Sequence, residues 1–259
     1  MPQMARSPSE AALIQVDTDP TYKRVAKAIE EAIMSGRLKT GDTLPTETEL
    51  AAQLGVNRST VREGIRALEN ADLIERGGAK RLIVRVPQAS KIAWVNTRAL
   101  GLMHVSFLDL WELQLQVEPF AASVAAERIE PELLEALREN VARLAEHLDD
   151  DEKVTSNDIE FHRLVAQASS NAALSLVSEP IRVLLFSATI DLYETVPQAR
   201  HRLLEAHRAI LAEIEKGDSA EARRWMARHI EDFRRGYEVA GYDLRAPIPI
   251  DPRTQDHFG

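Results

Sequence analysis

The sequence predicts a mainly α-helical protein of two domains, with β structure confined to one short hairpin. Two observations support this fold class. Apolar residues recur every three or four positions through most of residues 20–241, which is the spacing of amphipathic helices. Gly77 and Gly78 separate two short apolar runs, Leu73–Ile74 and Leu82–Val84, as in a hairpin. The hairpin would close an N-terminal domain, and six or seven antiparallel helices would form a C-terminal bundle.

The segment Leu44–Glu75 has the pattern of a helix-turn-helix. A first short helix would end at Gly55, where a left-handed residue is favoured, and Asn57 is a good N-cap for a second helix. In that second helix the apolar positions recur at spacings of four and three and would face the core, so the opposite face stays polar. An amphipathic helix over Thr21–Leu38 precedes this segment, and the hairpin that follows would be a wing. Together these elements predict a winged helix-turn-helix domain over residues 20–87.

The polar face of the second helix carries the candidate DNA contacts. Four residues crowd its first turns: Arg58, Ser59, Thr60 and Arg62. This end of a recognition helix normally enters the major groove. Four further basic residues lie in or near the wing: Arg76, Lys80, Arg81 and Arg85. The alternative is an ordinary solvated helix start, which is common for Arg and Ser.

Residues Tyr22–Val84, including AIMSGRLKTGDTLPTETELAAQLGVNRSTVREGIRALENADLIE, resemble the DNA-binding domain of GntR-family transcription regulators. The resemblance implies that the four polar residues opening the second helix contact operator bases and phosphates. It adds three positions to the expected contacts: Thr48, Gly78 and Lys80. Many members carry a base-contacting Arg where Thr48 stands, and the wing often has a second Gly where Lys80 stands. The operator sequence therefore cannot be taken from a relative.

The two predicted domains differ in charge. Residues 20–87 hold 12 Lys and Arg against 9 Asp and Glu, whereas residues 88–259 hold 19 against 29. A mildly basic module suits DNA, and an acidic one suits a different partner. The absence of cysteine fits a reducing compartment and excludes thiol catalysis. No signal peptide is evident, and no apolar run approaches the roughly twenty residues that span a bilayer. We therefore expect a cytoplasmic protein with no membrane partner.

Three histidines and one aspartate of the C-terminal region lie on helix faces that also carry apolar residues. His207 lies ten residues before Gly217, and His229 lies twelve residues after it. An antiparallel hairpin would bring both nearly level, roughly 15 and 18 Å from the turn. Asp158 and His162 are four apart and share one face of an earlier helix. These groups could bind Zn, Ni or Mn, or each His could be an ordinary buried residue with local hydrogen bonds.

Three segments resemble the ligand motifs of the FCD effector domain in the FadR subfamily: DIEFH at 158–162, HRAI at 207–210 and MARH at 226–229. The similarity spans most of Phe107–Tyr237. It implies that four residues bind a divalent metal: Asp158, His162, His207 and His229. It also implies that a small carboxylate metabolite docks against this metal. Many relatives pair the effector carboxylate with an Arg where this chain has Gln114, which can donate a hydrogen bond but brings no charge. Alternatively, Gln114 is a polar residue on the exposed edge of its helix.

These observations predict a ligand-responsive transcription regulator, expected to repress a metabolic operon as a homodimer on palindromic double-stranded DNA. The expected order is a disordered arm at 1–19, the winged helix-turn-helix domain at 20–87, the helical metal- and effector-binding domain at 88–241 and a flexible, proline-rich tail at 242–259. The expected metal is Zn, with Ni or Mn as alternatives, and the expected effector is an organic acid. Two other functions stay open at this point: a metal-responsive regulator and a metal-dependent enzyme.

Overall fold

The computed structural model describes residues 20–78 and 81–251. Within these ranges the chain forms ten α-helices and one antiparallel sheet of two strands. The prediction of a mainly helical protein with a small hairpin is therefore confirmed. Two compact units divide the chain, the first ending at Pro87 and the second beginning at Gln88. The expected arm at 1–19, the predicted DNA contact Lys80 and residues 252–259 of the expected tail lie outside the described residues.

The first unit consists of three helices followed by the hairpin: α1 Thr21–Met34, α2 Glu47–Leu54, α3 Arg58–Asn70, β1 Ile74–Arg76 and β2 Leu82–Val84. Thr46 and Glu49 form a capping box at the start of α2, in which each side chain accepts a hydrogen bond from the other residue's backbone N–H. Gly55 ends α2 at a φ of 65°, and the Asn57 side chain caps α3 by accepting from the Thr60 N–H. Local sequence thus fixes both ends of the turn between the two helices.

The buried face of α3 positions its polar face outward. Val61, Ile65 and Leu68 are almost fully buried and belong to one apolar core with residues of α1 and the hairpin. Gly64 allows α1 and α3 to approach closely, because a Cβ there would lie 2.8 Å from Val25 Cγ1. Burial on one face leaves the start of α3 at the surface.

The second unit contains seven helices: α4 Ala89–Leu102, α5 Phe107–Arg128, α6 Pro131–Glu146, α7 Asp151–Ala168, α8 Ala172–Thr195, α9 Ala199–Lys216 and α10 Ser219–Val239. Gly217, at a φ of 74°, ends α9, and Asp218 then caps α10 by accepting from the Glu221 N–H. This turn makes α9 and α10 the antiparallel pair that the sequence predicted. The main core lies between α5, α6, α7, α9 and α10, with α8 contributing at its C-terminal end.

Helix α8 differs from its sequence-based description. It is long and apolar enough to cross a membrane, although no such run was expected. In the structure 72% of its most apolar window is buried by the rest of the protein. Its hydrophobicity is therefore that of a central core helix.

The chain after α10 also departs from expectation as far as Asp251. Residues 242–251 were expected to be flexible because their prolines break helices, but an extended segment can still form hydrogen bonds. The Leu108 N–H donates to the Leu244 carbonyl at 2.9 Å, and the Ile248 N–H donates to the Val105 carbonyl at 3.0 Å. The Ile248 side chain is buried in a second apolar cluster that includes Phe107. The expectation of a flexible tail is wrong for this described part.

Candidate functional site

The start of α3 presents the predicted DNA contacts on the surface of the first unit. Arg58, Ser59 and Arg62 are exposed, and Thr60 is half-buried. The Asn57 Oδ1 accepts hydrogen bonds from the Ser59 and Thr60 hydroxyls, both at 2.7 Å. These hydroxyls are therefore held at the N-terminus of the helix, where backbone N–H groups favour an anion such as phosphate.

A groove runs between the start of α2, the start of α3 and the hairpin. Five of its lining residues are Thr48, Arg58, Arg62, Arg76 and Arg81. The structure thus brings together Thr48, Arg58 and Arg62 from the predicted set, while Gly78 is exposed at the tip of the hairpin. Arg76 and Arg81 were expected only to add positive charge, because the sequence alone does not show that they share a groove with α3.

Glu47 organises two of the groove's arginines. The Arg62 Nε lies 3.4 Å from the Glu47 carboxylate, and an Arg76 Nη lies 3.8 Å from it. Both guanidinium groups remain about half exposed, so solvent screens these pairs and they contribute little to stability. The Arg76 Nε also pairs with the Glu69 carboxylate at 2.7 Å, so Arg62 is the arginine whose carboxylate contact an anion would replace more readily.

The second unit brings one aspartate and three histidines to a single point. One ligand atom from each of Asp158, His162, His207 and His229 lies within 4.8 Å of the others. The His162 and His229 Nε2 atoms are 3.1 Å apart, and the His207 Nε2 lies 3.2 Å from the Asp158 Oδ1. Helix α7 supplies the first two residues, and the antiparallel pair α9 and α10 supplies the others. All four side chains point into the bundle, as their helix faces predicted.

The four side chains fit a divalent metal. Zn–N bonds of about 2.1 Å in a tetrahedral site place neighbouring ligand atoms about 3.4 Å apart. The Asp158 Oδ1 lies 3.5 Å from the His162 Nε2 and 4.0 Å from the His229 Nε2, so only small shifts would be needed. The Asp158 Oδ1 and both His207 nitrogens are buried without a well-formed hydrogen bond in the described structure. A metal ion bound between the Asp158 Oδ1 and the His207 Nε2, which lie 3.2 Å apart, would give both atoms a ligand bond.

Glu118 on α5 is a functional candidate that the sequence analysis missed. Its carboxylate contacts the His162 Nδ1, and both side chains are at most 5% exposed. A carboxylate behind a metal-binding imidazole fixes the ring's orientation and leaves Nε2 free for the metal. Glu118 lies 44 residues before His162 in the sequence, so no local pattern indicates this contact. The crossing of α5 and α7 creates it.

Burial and charge separate the pKa values of the four groups. Burial alone would raise the pKa of Asp158, but its contacts with His162 and His207 outweigh this and hold it well below the usual range. Burial opposes protonation of His162, yet the nearby Glu118 and Asp158 raise its pKa to about 10. Burial lowers the pKa of His207 and lowers that of His229 further, helped there by the other two imidazoles. Asp158 is thus ionised and His162 protonated where the two side chains meet.

A small cavity of about 40 Å³ adjoins the candidate metal centre. Asp158, His162 and His229 lie in its wall together with Gln114. Gln114 is 6% exposed, so it is not on the exposed edge of its helix. Arg182 of α8, which the sequence analysis did not consider, also lines the cavity. A ligand in this space would therefore contact the candidate metal ligands and a buried guanidinium.

Comparison with known proteins places both units in one family. The model for bacterial regulatory proteins of the gntR family matches residues 21–84, and the FCD domain model matches residues 109–232. The chain belongs to the GntR family. The predicted resemblance of both regions is thereby confirmed, and this GntR protein carries an FCD domain after its helix-turn-helix domain.

Named relatives cover most of the chain. The Uxu operon regulator of Haemophilus influenzae is 28% identical over 219 residues, 83% of this chain and 80% of that protein. The transcriptional repressor NanR of Cronobacter sakazakii is 29% identical over 80% of this chain and 81% of its own length. A solved structure of Streptococcus agalactiae GntR has 27% identity and a TM-score of 0.61, covering 83% of this chain and 99% of that one. The protein is thus a ligand-responsive GntR-family transcription regulator and not an enzyme.

Proposed function

We propose that this GntR protein is a cytoplasmic, homodimeric repressor. Its affinity for operator DNA would change when a small organic acid binds beside a metal ion. The observation that carries this proposal is the convergence of Asp158, His162, His207 and His229 on the wall of a cavity, in a chain whose other unit exposes the start of α3. Its relatives include a protein named as a repressor, NanR.

The first unit would bind double-stranded DNA through the groove between α2, α3 and the hairpin. Arg58, Arg62 and the hydroxyls of Ser59 and Thr60 would enter the major groove, with Thr48 beside them. Gly78 and Lys80 of the wing would contact the backbone. Two copies of α3 spaced by about one DNA turn would match a palindromic operator. Because phosphate contacts release counterions, operator affinity should fall steeply with salt.

The second unit would hold one divalent metal with Asp158, His162, His207 and His229. Zn suits three imidazoles and one carboxylate at the observed spacing, and Ni or Mn accept the same nitrogen and oxygen donors. Glu118 would orient His162 from behind. A bound ion would attract an effector oxygen into the cavity. Gln114 of α5 would add a polar contact to the effector.

Effector binding would regulate DNA binding by changing the relative populations of two arrangements of the dimer, one of which binds the operator more tightly. A ligand can change operator affinity only if it binds two arrangements of the dimer with different affinity. Residues 87–91 join the two units and are where we expect the arrangements to differ. Operator binding must then alter effector affinity by the same factor, because the coupling is reciprocal.

The test is to incubate the metal-loaded protein with fragmented genomic DNA from its source and to sequence the retained fragments at moderate and high salt. Recovery of a palindromic site that is lost at high salt supports the proposal. Candidate organic acids suggested by the neighbouring genes are then titrated into a gel shift on that site. If no site is enriched with either the metal-loaded or the metal-free protein, the assignment of α3 is contradicted.

A metal-responsive regulator is the second candidate, because four protein ligands can hold an ion without any effector. In that case chelation alone would abolish operator binding, re-addition of the metal would restore it, and no organic acid would change it. An effector-responsive protein would instead keep a residual affinity that organic acids modulate in the metal-loaded state. The same gel shift with and without chelator separates the two.

A further inference from the structure

The cavity beside the candidate metal centre comes nearest to solvent at an ion pair between α9 and α10. Among the described residues that line it, Arg202 is exposed, and three more are half-buried: His229, Asp232 and Phe233. The other lining residues are at most 9% exposed. The Arg202 Nε donates to the Asp232 carboxylate at 2.8 Å. This pair therefore lies in the cavity wall on the side that faces solvent.

A groove on the outer surface of α9 and α10 meets the cavity at this ion pair. The groove and the cavity share three lining residues: Arg202, His229 and Asp232. His229 is also the least buried of the three candidate imidazole ligands. Its side chain is 10% exposed, against 5% for His162 and 0% for His207. The groove thus leads to a candidate metal ligand and to the Arg202–Asp232 pair.

The cavity is too small for a solute to reach this ligand unless part of the wall moves. Its volume of about 40 Å³ holds only a few water molecules. The Arg202–Asp232 pair can move readily because its side chains are 43% and 33% exposed, so solvent screens their attraction. Asp232 keeps a second cation when Arg202 moves, since an Arg235 Nη lies 3.8 Å from its carboxylate. Opening therefore leaves the Asp232 carboxylate paired.

We propose that the Arg202–Asp232 ion pair is a gate between the outer groove and the metal centre, through which metal ions enter and leave. The proposal rests on the proposed function, because it requires a metal ion bound to the three imidazoles and Asp158. A gate acts on the path and not on the bound state. Its removal therefore changes the rates of uptake and release by the same factor and leaves the Kd unchanged. A residue that supports a metal ligand, as expected for Glu118, changes the Kd instead.

The test measures two stopped-flow rates on the full chain: Zn uptake by the metal-free protein and Zn release to a chromophoric chelator. In Arg202→Ala both rates should rise about two- to fivefold, the population ratio that an exposed ion pair maintains, at an unchanged Kd. Arg223→Ala is the charge control, because Arg223 is exposed on α10 and lines neither the groove nor the cavity. It lies six residues before His229, much as Arg202 lies five before His207. Both rates should stay at their wild-type values in this control.

A chemical block tests the same route in the opposite direction. The chain has no cysteine, so Ala206→Cys places a single thiol in the groove, to which a bulky maleimide can be attached. The modified variant should take up and release Zn at least about tenfold more slowly than the unmodified variant, again at an unchanged Kd. Modified Ala220→Cys, at an exposed position of α10 outside the groove, should exchange Zn at the wild-type rate.

Wild-type rates in Arg202→Ala, or wild-type rates after Ala206→Cys is modified, would overturn the gate. A change of Kd carried by only one of the two rates would assign Arg202 to the bound state and would also overturn it. Failure of the wild-type protein to bind Zn would contradict the proposed metal centre together with the gate. Tight Zn binding with rates that no groove variant alters would count against the gate alone.

Discussion

Glu118 allows a test of the candidate metal centre that leaves all four candidate ligands in place. Its carboxylate contacts the His162 Nδ1 inside the bundle, and Glu118→Gln keeps the shape of the side chain while removing its charge. Loss of a carboxylate that supports a metal-binding imidazole typically lowers metal affinity about 10- to 100-fold. We expect this loss for Glu118→Gln, which corresponds to about 1.4–2.7 kcal/mol.

The assay is competition for Zn against a chromophoric chelator at pH 7. Glu112→Gln is the matched control, because it makes the same change at an exposed position of the same helix. We expect the control to change the Kd less than about twofold, since Glu112 lies on the solvent side. At saturating metal the lost binding free energy also appears as lost stability, so the Tm of metal-loaded Glu118→Gln should fall by about 3–10 °C.

A Kd for Glu118→Gln within about threefold of wild type, at unchanged metal stoichiometry, would refute this reasoning. It would mean that His162 is oriented without Glu118 or that His162 does not bind the metal. A similar loss in Glu112→Gln would instead point to the long-range effect of net charge.

Three other predictions follow from the two sites. Arg58→Ala and Arg62→Ala should each weaken specific operator binding at least about tenfold in a gel shift but leave the Tm nearly unchanged, because exposed ion pairs contribute at most about 1 kcal/mol. Lys216→Ala removes one positive charge from the second unit and is the control, so it should retain wild-type operator affinity. Wild-type operator affinity in Arg58→Ala or Arg62→Ala would contradict the predicted DNA contacts of these arginines. His207→Ala should lower metal content and Tm together, and an unchanged metal ratio by elemental analysis would leave His207 as a core residue. Metal binding at pH 8 should release about one proton, measured by calorimetry in two buffers of different ionisation enthalpy.

The fold could be predicted from local patterns where one helix face decides the structure. Gly55 and Asn57 mark the helix-turn-helix because their backbone and capping preferences act within a few residues. The pairing of His207 with His229 was also accessible, because a single turn at Gly217 sets their relative height.

Other features depend on contacts between distant segments, which local patterns do not encode. Glu118 acquires its role only where α5 crosses α7. Arg182 lies in α8, the most apolar of the described helices. Its sequence context does not indicate that its guanidinium is buried with Nε and Nη1 lacking hydrogen-bond partners among the described residues. The packed segment at 242–251 was missed because its prolines exclude a helix but permit extended pairing with Val105 and Leu108.

The proton released on metal binding is expected to come from His162, because it is the one group of the four whose pKa is raised. In the metal-free protein Glu118 and Asp158 raise the pKa of His162 to about 10, so its ring is protonated at pH 8. A metal needs the Nε2 lone pair, so that proton must leave while Nδ1–H stays toward Glu118. His207 and His229 have lowered pKa values and are already neutral, and Asp158 is already ionised. Metal affinity should therefore rise about tenfold per pH unit between pH 7 and pH 9 and level off near pH 10. Release of no proton, or of two, would contradict this ligand set.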